Sequence, residues 1–270
     1  MITPPPPARP VCMGVVNVTP DSFSDGGAHL APAAAIARAE QLVAEGARWI
    51  DVGGESTRPG AAPVDEAEEL RRVVPVIAAL RARLPGVRLS VDTRRTPVAR
   101  AALAAGADVV NDVSAGRAPG MLACIAAANA GVVLMHMRGD PGTMQRDTAY
   151  DDLVGEVAAH LVERAGAATA AGIRTIWLDP GLGFGKAPGD NPSLIRAIPV
   201  IRALGWPVVI GASRKRFIGE LTGEADPARR VFGSVGAALA AASWGADVLR
   251  VHDVAATIAA LQVFQACRDG

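Results

Sequence analysis

Polar side chains of the kinds found in active sites follow the apolar runs of this chain. They are the carboxylates of Asp51, Asp92 and Asp179, the amides of Asn17 and Asn111, the cations of Arg214, Lys215, Arg216 and Arg250, and the imidazoles of His136 and His252. Ionised carboxylates only accept hydrogen bonds, whereas amides donate and accept, so together they suit a flat heterocycle with ring N–H and amino donors. Cations and glycine-rich loops suit a phosphate or carboxylate. Each residue alone also has a structural explanation, such as a helix cap. That explanation is weaker for the whole set, because the residues recur at equivalent positions, just after successive apolar runs.

Two scarce residue types occur at these positions. Arginine is abundant, yet Lys186 and Lys215 are the only lysines, and Asn17 and Asn111 are two of only four asparagines. Lysine is a compact, rotatable point charge that arginine does not replace freely. We therefore expect a chemical requirement at Lys215, Asn17 and Asn111, whereas chance is an adequate explanation for Lys186.

Several kinds of site are disfavoured by the sequence. No group of histidines and cysteines has the spacing of a zinc site, and no G-x-S-x-G motif marks a serine nucleophile. Mg²⁺ bound by one or two protein oxygens and a substrate phosphate fits a site with so few dedicated ligands.

Eight short apolar runs must position the polar side chains. They are residues 15–17, 49–51, 89–92, 109–111, 132–136, 176–179, 208–213 and 248–252, each followed by turn residues and a helical stretch. The last residues of successive runs are 19 (92 to 111) to 43 (136 to 179) residues apart, enough for a helix and its loops. Eight such units predict a single α/β domain, a (β/α)8 TIM barrel with its site at the C-terminal ends of the strands. A doubly wound open sheet is the alternative, but no G-x-G-x-x-G turn follows the first run.

Punctuation residues predict where several helices begin and end. Residues 32–46 begin with proline and end with glycine, as helices often do. The acidic residues 65–69 predict a solvated first turn, favoured by the helix dipole. Thr96 is expected to cap the next helix, with Pro97 at its first position.

Composition limits the remaining properties. Half of the 270 residues are apolar, and 27 basic residues balance 27 acidic ones, which disfavours nucleic acid and anionic membranes as partners. Residues 1–10 lack the apolar core of a signal peptide, and the apolar stretch 121–137 is too short and too polar for a membrane span. The three cysteines predict buried thiols in a reducing, cytoplasmic environment. We expect residues 1–10 to be a flexible proline-rich tail and residues 11–270 to form the barrel.

Eight segments resemble the signatures of dihydropteroate synthases. The first two are MGVVNVTPDSFSDGG (13–27) and DVGGESTRPG (51–60), and the others are residues 90–94, 111–114, 135–139 with 143–145, 179–186, 211–219 and 250–254. They span nearly the whole chain in the family's order. The resemblance implies a folate-pathway transferase, a homodimer and a sulfonamide target. It would join 6-hydroxymethyl-7,8-dihydropterin diphosphate to 4-aminobenzoate, forming dihydropteroate and releasing diphosphate.

The resemblance also implies residue roles. Pterin diphosphate would contact Thr57, Asp92, Asn111, Asp179, Lys215, Arg250, Val251 and His252, of which Asp92, Lys215, Arg250 and His252 would be catalytic. 4-Aminobenzoate would contact Phe23, Thr57, Arg58, Pro59, Phe184 and Ser213. Asn17 would bind Mg²⁺ and the diphosphate. Asp51 and His136 are expected to support neighbouring residues, and Asp190 stands where many members carry histidine.

The implied chemistry is a substitution in which diphosphate leaves first. Mg²⁺ and cations neutralise the leaving group, and Asp92 stabilises the pterin cation. An arylamine is unprotonated near neutral pH, so no general base is assigned. Two alternatives share the barrel. A corrinoid-type methyltransferase domain would not need residues 213–215, and a non-catalytic pterin-binding paralogue should lose loop residues such as Asn17 or His252.

Overall fold

The computed structural model describes residues 9–18, 27–55, 64–140 and 142–269, in which strands and helices alternate. The strands are β1 (Val11–Asn17), β2 (Trp49–Gly53), β3 (Arg88–Asp92), β4 (Val109–Asp112), β5 (Gly131–Met135), β6 (Ile176–Asp179), β7 (Val209–Ile210) and β8 (Val248–Val251). The helices are α1 (Gly27–Ala44), α2 (Glu66–Arg83), α3 (Thr96–Ala104), α4 (Met121–Ala127), α5 (Leu153–Ala170), α6 (Asp190–Arg196), α7 (Ile198–Arg202), α8 (Arg216–Thr222), α9 (Val231–Ser243) and α10 (Val254–Asp269). The predicted tail, residues 1–10, lies outside this part apart from its last two residues.

The strands form one parallel sheet that closes on itself. Their order is β6-β5-β4-β3-β2-β1-β8-β7. A parallel bridge between Leu178 and Val208 joins β6 to β7, and the Leu178 amide donates to the Pro207 carbonyl at 2.9 Å. The predicted (β/α)8 barrel is therefore confirmed, and the open-sheet alternative is wrong.

Alternation along the strands separates two apolar cores. Side chains such as Ile50 and Leu178 pack with the helices in a large outer core. The second core, which fills the barrel interior, consists of Met13, Trp49, Val109, Val133, Trp177, Val209 and Val248. Within it Trp49 and Trp177 meet edge to face, with 4.7 Å between their ring centroids. Since Trp49 is the first residue of β2, this filled layer lies toward the N-terminal ends of the strands and leaves the opposite end for a site.

Two helix starts differ from the sequence-based predictions. Helix α1 begins at Gly27 and contains Pro32, so Pro32 is not its first residue. The first four amides of a helix have no intrahelical partner, and Pro32 therefore removes only one hydrogen bond just beyond them. Arg95, rather than Thr96, is the extended residue before α3. The Thr96 hydroxyl instead donates to the Pro119 carbonyl at 3.0 Å.

Two predictions about exposure are wrong in part. In the first turn of α2, which the sequence predicts to be solvated, Asp65 accepts a hydrogen bond from the Glu68 amide at 2.7 Å and caps the helix. Glu69 in the same turn is buried, however, and pairs with Arg95. Among the cysteines, Cys267 is exposed near the end of α10, whereas the other two are buried. None of the described helices combines the length and the hydropathy needed to cross a membrane.

Candidate active site

A polar layer faces the barrel axis directly above the filled apolar layer. The layer contains Asp51, Asn111, Asp179 and Arg250. Each of these residues follows, by two positions, a residue of the filled layer: Trp49, Val109, Trp177 and Val248 respectively. Because side chains alternate along a strand, residues two apart share a face. Asp92 and Asn111 are register partners on β3 and β4. Oxygens of Asn17 and Asp92 both lie 3.8 Å from the position that a Cβ on Gly53 would take. The predicted convergence of these strand-end residues is therefore confirmed.

Arg250 occupies the centre of this layer. Its Nε donates to Asp51 at 2.6 Å, and its Nη2 donates to Asp92 at 2.7 Å. The Asn111 amide nitrogen donates to the same Asp51 oxygen at 3.0 Å. A carboxylate only accepts, so this contact turns the Asn111 nitrogen toward Asp51 and its oxygen away from it. Asp51 thus supports Arg250 and Asn111 within the layer, as expected.

Burial and neighbouring charges set the protonation of this cluster. Burial raises the pKa of Asp92 to about 7, and the Arg250 guanidinium opposes that rise. Burial would lower the pKa of Arg250, but the Asp51 and Asp92 carboxylates outweigh it and raise that pKa above its ordinary value. The layer therefore holds a fixed positive charge beside a carboxyl group whose affinity for a proton burial increases.

Lys215 and Asp179 supply a second set of opposite charges. Burial lowers the pKa of Lys215 to about 8, and Asp179 opposes the change. Burial likewise raises the pKa of Asp179, against the attraction of Lys215. The Lys215 ammonium donates to the Leu182 carbonyl and lies 4.6 Å from the centre of the Phe184 ring. Lys215 thus joins the polar layer to the loop that follows β6.

Ser213 and His252 meet at the ends of β7 and β8. The Ser213 hydroxyl oxygen lies 3.1 Å from His252 Nδ1 and accepts from the His252 amide at 3.2 Å. The two neighbouring arginines do not supply cations to the mouth, contrary to prediction. Arg214 forms two hydrogen bonds to Asp253, at 3.0 and 2.5 Å, and Arg216 is exposed and pairs within its own helix. Each guanidinium instead forms an ion pair outside the mouth, Arg214 with Asp253 and Arg216 with Glu220.

Lys186 and His136 contact each other behind the β6 loop (residues 181–186). The Lys186 side chain is 3% exposed, and its Nζ lies 2.9 Å from His136 Nδ1. Burial lowers the pKa of His136 to about 3, so the imidazole is neutral. Tyr150, which sequence reasoning missed, donates its hydroxyl to the Gly185 carbonyl at 2.7 Å. Lys186, for which chance was an adequate explanation, is thus a buried and hydrogen-bonded residue next to the site. The scarcity of lysine, and the presence of a single tyrosine, were the signals that could have found these residues.

Some predicted contacts cannot be placed at the mouth. Phe23, Thr57, Arg58 and Pro59 lie outside the described residues. The Val251 side chain packs in the outer core, because alternation after Arg250 turns it toward the helices. Val251 could therefore meet a substrate only through its backbone.

Comparison with known proteins agrees with this geometry. The family model described as pterin binding enzyme matches residues 13–252. Dihydropteroate synthase of Neisseria meningitidis serogroup B is 51% identical over 266 residues, covering 96% of this chain and 93% of that protein. The Escherichia coli K12 enzyme is 43% identical over 261 residues, covering 96% and 92%.

Solved structures give the same result. Xanthomonas albilineans dihydropteroate synthase with 4-aminobenzoic acid matches with a TM-score of 0.92 and 54% identity, covering 97% of this chain and 94% of that one. The same enzyme in complex with 7,8-dihydropteroate matches with a TM-score of 0.88 and 51% identity, covering 97% and 95%. This chain belongs to the pterin binding enzyme family and, within it, to the dihydropteroate synthases.

Proposed function

We infer that this chain makes 7,8-dihydropteroate for folate biosynthesis. As a transferase it joins 6-hydroxymethyl-7,8-dihydropterin diphosphate to 4-aminobenzoate and releases diphosphate. The observation that carries this inference is the layer of acceptors around Arg250, set on an apolar barrel floor. A corrinoid-type methyltransferase is not favoured, because the similar proteins are named dihydropteroate synthases over nearly their whole length.

We propose that the polar layer binds the pterin ring. Asp92, Asn111 and Asp179 offer oxygen acceptors at the barrel mouth, where a reduced pterin carries several N–H donors. Asn111 supports this role because Asp51 holds its nitrogen and leaves its oxygen available. Lys215 would donate to a ring acceptor, and the Arg250 guanidinium would stack against the ring face while reaching the diphosphate.

Departure of diphosphate precedes attack by the amine in this proposal. The C–O bond breaks with its electron pair on diphosphate, whose charge Arg250 and His252 bind. The remaining cation is conjugated with the pterin and stabilised by the carboxylates of Asp92 and Asp179. The amine of 4-aminobenzoate, which would lie beside Phe184 and Ser213, then forms the C–N bond. It releases one proton to solvent, so no residue is required as a general base.

Mg²⁺ is the proposed cofactor, with Asn17 as its protein ligand. The described residues contain no group of three or more His, Cys, Asp or Glu side chains that could hold a metal. Mg²⁺ often needs only one or two protein oxygens when substrate phosphates complete its shell, which fits the Asn17 amide oxygen at the end of β1. When bound, the ion would neutralise charge on the diphosphate. Asn17→Ala should weaken Mg²⁺ binding in the presence of inorganic diphosphate, as measured by calorimetry; unchanged binding would reject Asn17 as the ligand.

A homodimer is also proposed. Apolar side chains on α9 and α10 are unusually exposed for a monomer, with Phe232 at 91% and Val263 at 65%. Sedimentation equilibrium tests this, and Phe232→Ser should shift the protein toward monomer. A wild-type protein that stays monomeric at micromolar concentration would reject the dimer.

The decisive experiment follows dihydropteroate and diphosphate from purified protein, with and without 4-aminobenzoate and Mg²⁺. We expect product that depends on 4-aminobenzoate. Arg250→Gln should abolish it, whereas Arg48→Gln, an exposed position beside the filled layer at the other end of the barrel, should not. A folded wild-type protein that binds the pterin diphosphate but forms no product would instead be a non-catalytic paralogue.

A further inference from the structure

Every backbone carbonyl from residue 181 to residue 185 in the β6 loop accepts a hydrogen bond from a side chain. Lys186 donates to the carbonyls of Gly181 (3.4 Å) and Phe184 (2.9 Å), Lys215 to Leu182, Gln145 to Gly183 (2.8 Å) and Tyr150 to Gly185 (2.7 Å). Loop carbonyls commonly face water instead. Four side chains, including both lysines of the chain, thus donate to five successive carbonyls and favour one conformation of this loop.

The backbone of the β6 loop has little freedom to adopt another shape. Gly181, Gly183 and Gly185 have φ values of +70°, +80° and +62°, a region that other residues rarely adopt. A Cβ on Gly181 would stand 1.9 Å from the His136 carbonyl oxygen. The loop is therefore pressed against the end of the neighbouring strand β5, and its side-chain donors hold it there.

Lys186 makes the most costly contribution to this arrangement. Its ammonium is buried, and its hydrogen-bond partners among the described residues are two carbonyls and the His136 imidazole, without a carboxylate. Burying a cation whose direct contacts are all neutral is unfavourable even with Asp179 and Asp190 acting on it without contact, and an apolar side chain of similar size would pack at lower cost. Stability alone therefore does not account for a lysine here.

Within the β6 loop, the shorter hydrogen bond of Lys186 is to Phe184. The Phe184 carbonyl accepts from Lys186, and the Phe184 ring lies 4.6 Å from the Lys215 ammonium. The adjacent Leu182 carbonyl accepts from Lys215 itself. Loss of Lys186 would free the loop between two glycines and let the Phe184 ring leave its place beside Lys215.

We propose that Lys186 is a positioning residue, which acts through the carbonyls of Gly181 and Phe184 to hold the Phe184 ring against 4-aminobenzoate. This rests on the proposed function, since that ring is assigned to the aminobenzoate side of the site. Lys186 touches no substrate in this scheme. Its effect should therefore fall on the second substrate more than on the first.

Steady-state kinetics of Lys186→Met and Lys186→Gln test the proposal. Methionine keeps the length and removes the donors, so kcat/KM for 4-aminobenzoate should fall roughly tenfold, as expected for the loss of one or two hydrogen bonds. The Kd for pterin diphosphate alone should change less than about threefold. Glutamine retains two N–H donors without the charge and should recover much of the loss.

A matched control and a direct view of the loop complete the design. Arg196→Met removes an exposed cation from α6, whose bond is to Ser193, and should leave both kinetic constants unchanged. Tyr150 is the only tyrosine, so fluorotyrosine labelling gives a single fluorine NMR signal next to the loop. That signal should shift or broaden in Lys186→Met and remain unchanged in Arg196→Met.

The outcomes separate this proposal from the proposed function. If the wild type forms no dihydropteroate, the function itself fails. If the wild type is active and Lys186→Met matches it, or loses affinity equally for both substrates, the positioning role is overturned. Should Lys186→Met not fold, Tyr150→Phe removes the donor to Gly185 and should raise the KM for 4-aminobenzoate in the same selective way; an unchanged KM would then overturn the role.

Discussion

Arg250 and Asp51 lie 199 residues apart in the chain, yet Arg250 Nε donates to Asp51 Oδ2 at 2.6 Å. Their strands are not neighbours, because β1 lies between β8 and β2 in the sheet. The two side chains meet because both face inward at the same height of the barrel. Asp51 is fully buried, and its second oxygen has no hydrogen-bond partner in the described part of the chain. The pair places a salt bridge directly beneath the proposed pterin site.

Replacing Asp51 should weaken both folding and pterin binding. Asp51→Asn removes one of the two carboxylates that hold Arg250, and breaking a buried pair costs about 3 kcal/mol. The amide oxygen can still accept from Asn111 and Arg250, but the negative charge that orients the guanidinium is lost, so the Kd for pterin diphosphate should rise about tenfold. Urea unfolding and calorimetry measure the two effects. Asp108→Asn breaks the pair with Arg81, where Asp108 is 44% exposed, and should cost less than about 1 kcal/mol. Equal losses in both variants would contradict the burial argument.

Lys215→Arg should preserve the fold and lose most activity. The Lys215 Nζ lies 3.9 Å from where a Cβ on Gly211 would stand, and its Cδ lies 3.4 Å from the corresponding point on Gly183. A planar guanidinium has no room to donate to Leu182 there without displacing the β6 loop. We expect product formation to fall at least about a hundredfold, by loss of transition-state contacts. Arg216→Lys, at the adjacent exposed position, is the control; full activity of Lys215→Arg would remove the argument from lysine scarcity.

The free energy of unfolding should depend on pH through Lys186. Burial lowers its pKa to about 7, whereas the unfolded chain keeps the ordinary value of 10.5. Between these values the unfolded chain binds a proton that the folded protein lacks, so stability rises with pH through this window. Below about pH 7 the cost of burying the ammonium is fully present. The groups acting on it are His136, Asp179, Lys215, Asp190 and Arg138.

Comparison with Lys186→Met isolates this effect, since the other groups titrate in both proteins. Urea unfolding at several pH values should show wild-type stability rising relative to the methionine variant as pH increases from about 7. Parallel stability curves would show that Lys186 keeps an ordinary pKa in the folded protein.

Because Gly181 lies in a left-handed turn, alanine there should destabilise the protein far more than alanine at Gly189. Gly181→Ala places a Cβ 1.9 Å from the His136 carbonyl oxygen at a φ of +70°, and should cost about 2 kcal/mol or more. Gly189 has a φ of −69° and open space at its Cβ position, so Gly189→Ala should be neutral or slightly stabilising. Thermal unfolding of both variants provides the measurement. Similar melting temperatures would mean that the β6 loop adapts to a side chain.

Much of the architecture follows from local properties of the sequence. Parallel strands buried on both faces require continuous apolar runs, and crossover helices require long gaps, so the eight runs predict the barrel. Alternation then aligns Asp51, Asn111, Asp179 and Arg250 on the inner face without any knowledge of partners. Helix starts were less predictable. Proline is tolerated near a helix N-terminus, as at Pro32, and the Thr96 hydroxyl donates to the distant Pro119 carbonyl instead of capping its helix.

The sequence by itself determined the strand and helix order, the end of the barrel that carries polar groups, and the family. Only the tertiary structure decided which of those groups bind one another. Arg214 is drawn to Asp253 and Arg250 to Asp51 and Asp92, and no local pattern distinguishes these arginines. Nothing in the sequence alone indicated a role for Lys186, because its burial depends on the fold of the β6 loop around it. Burial and partner choice arise from distant segments brought together by packing, and short-range periodicity does not encode them.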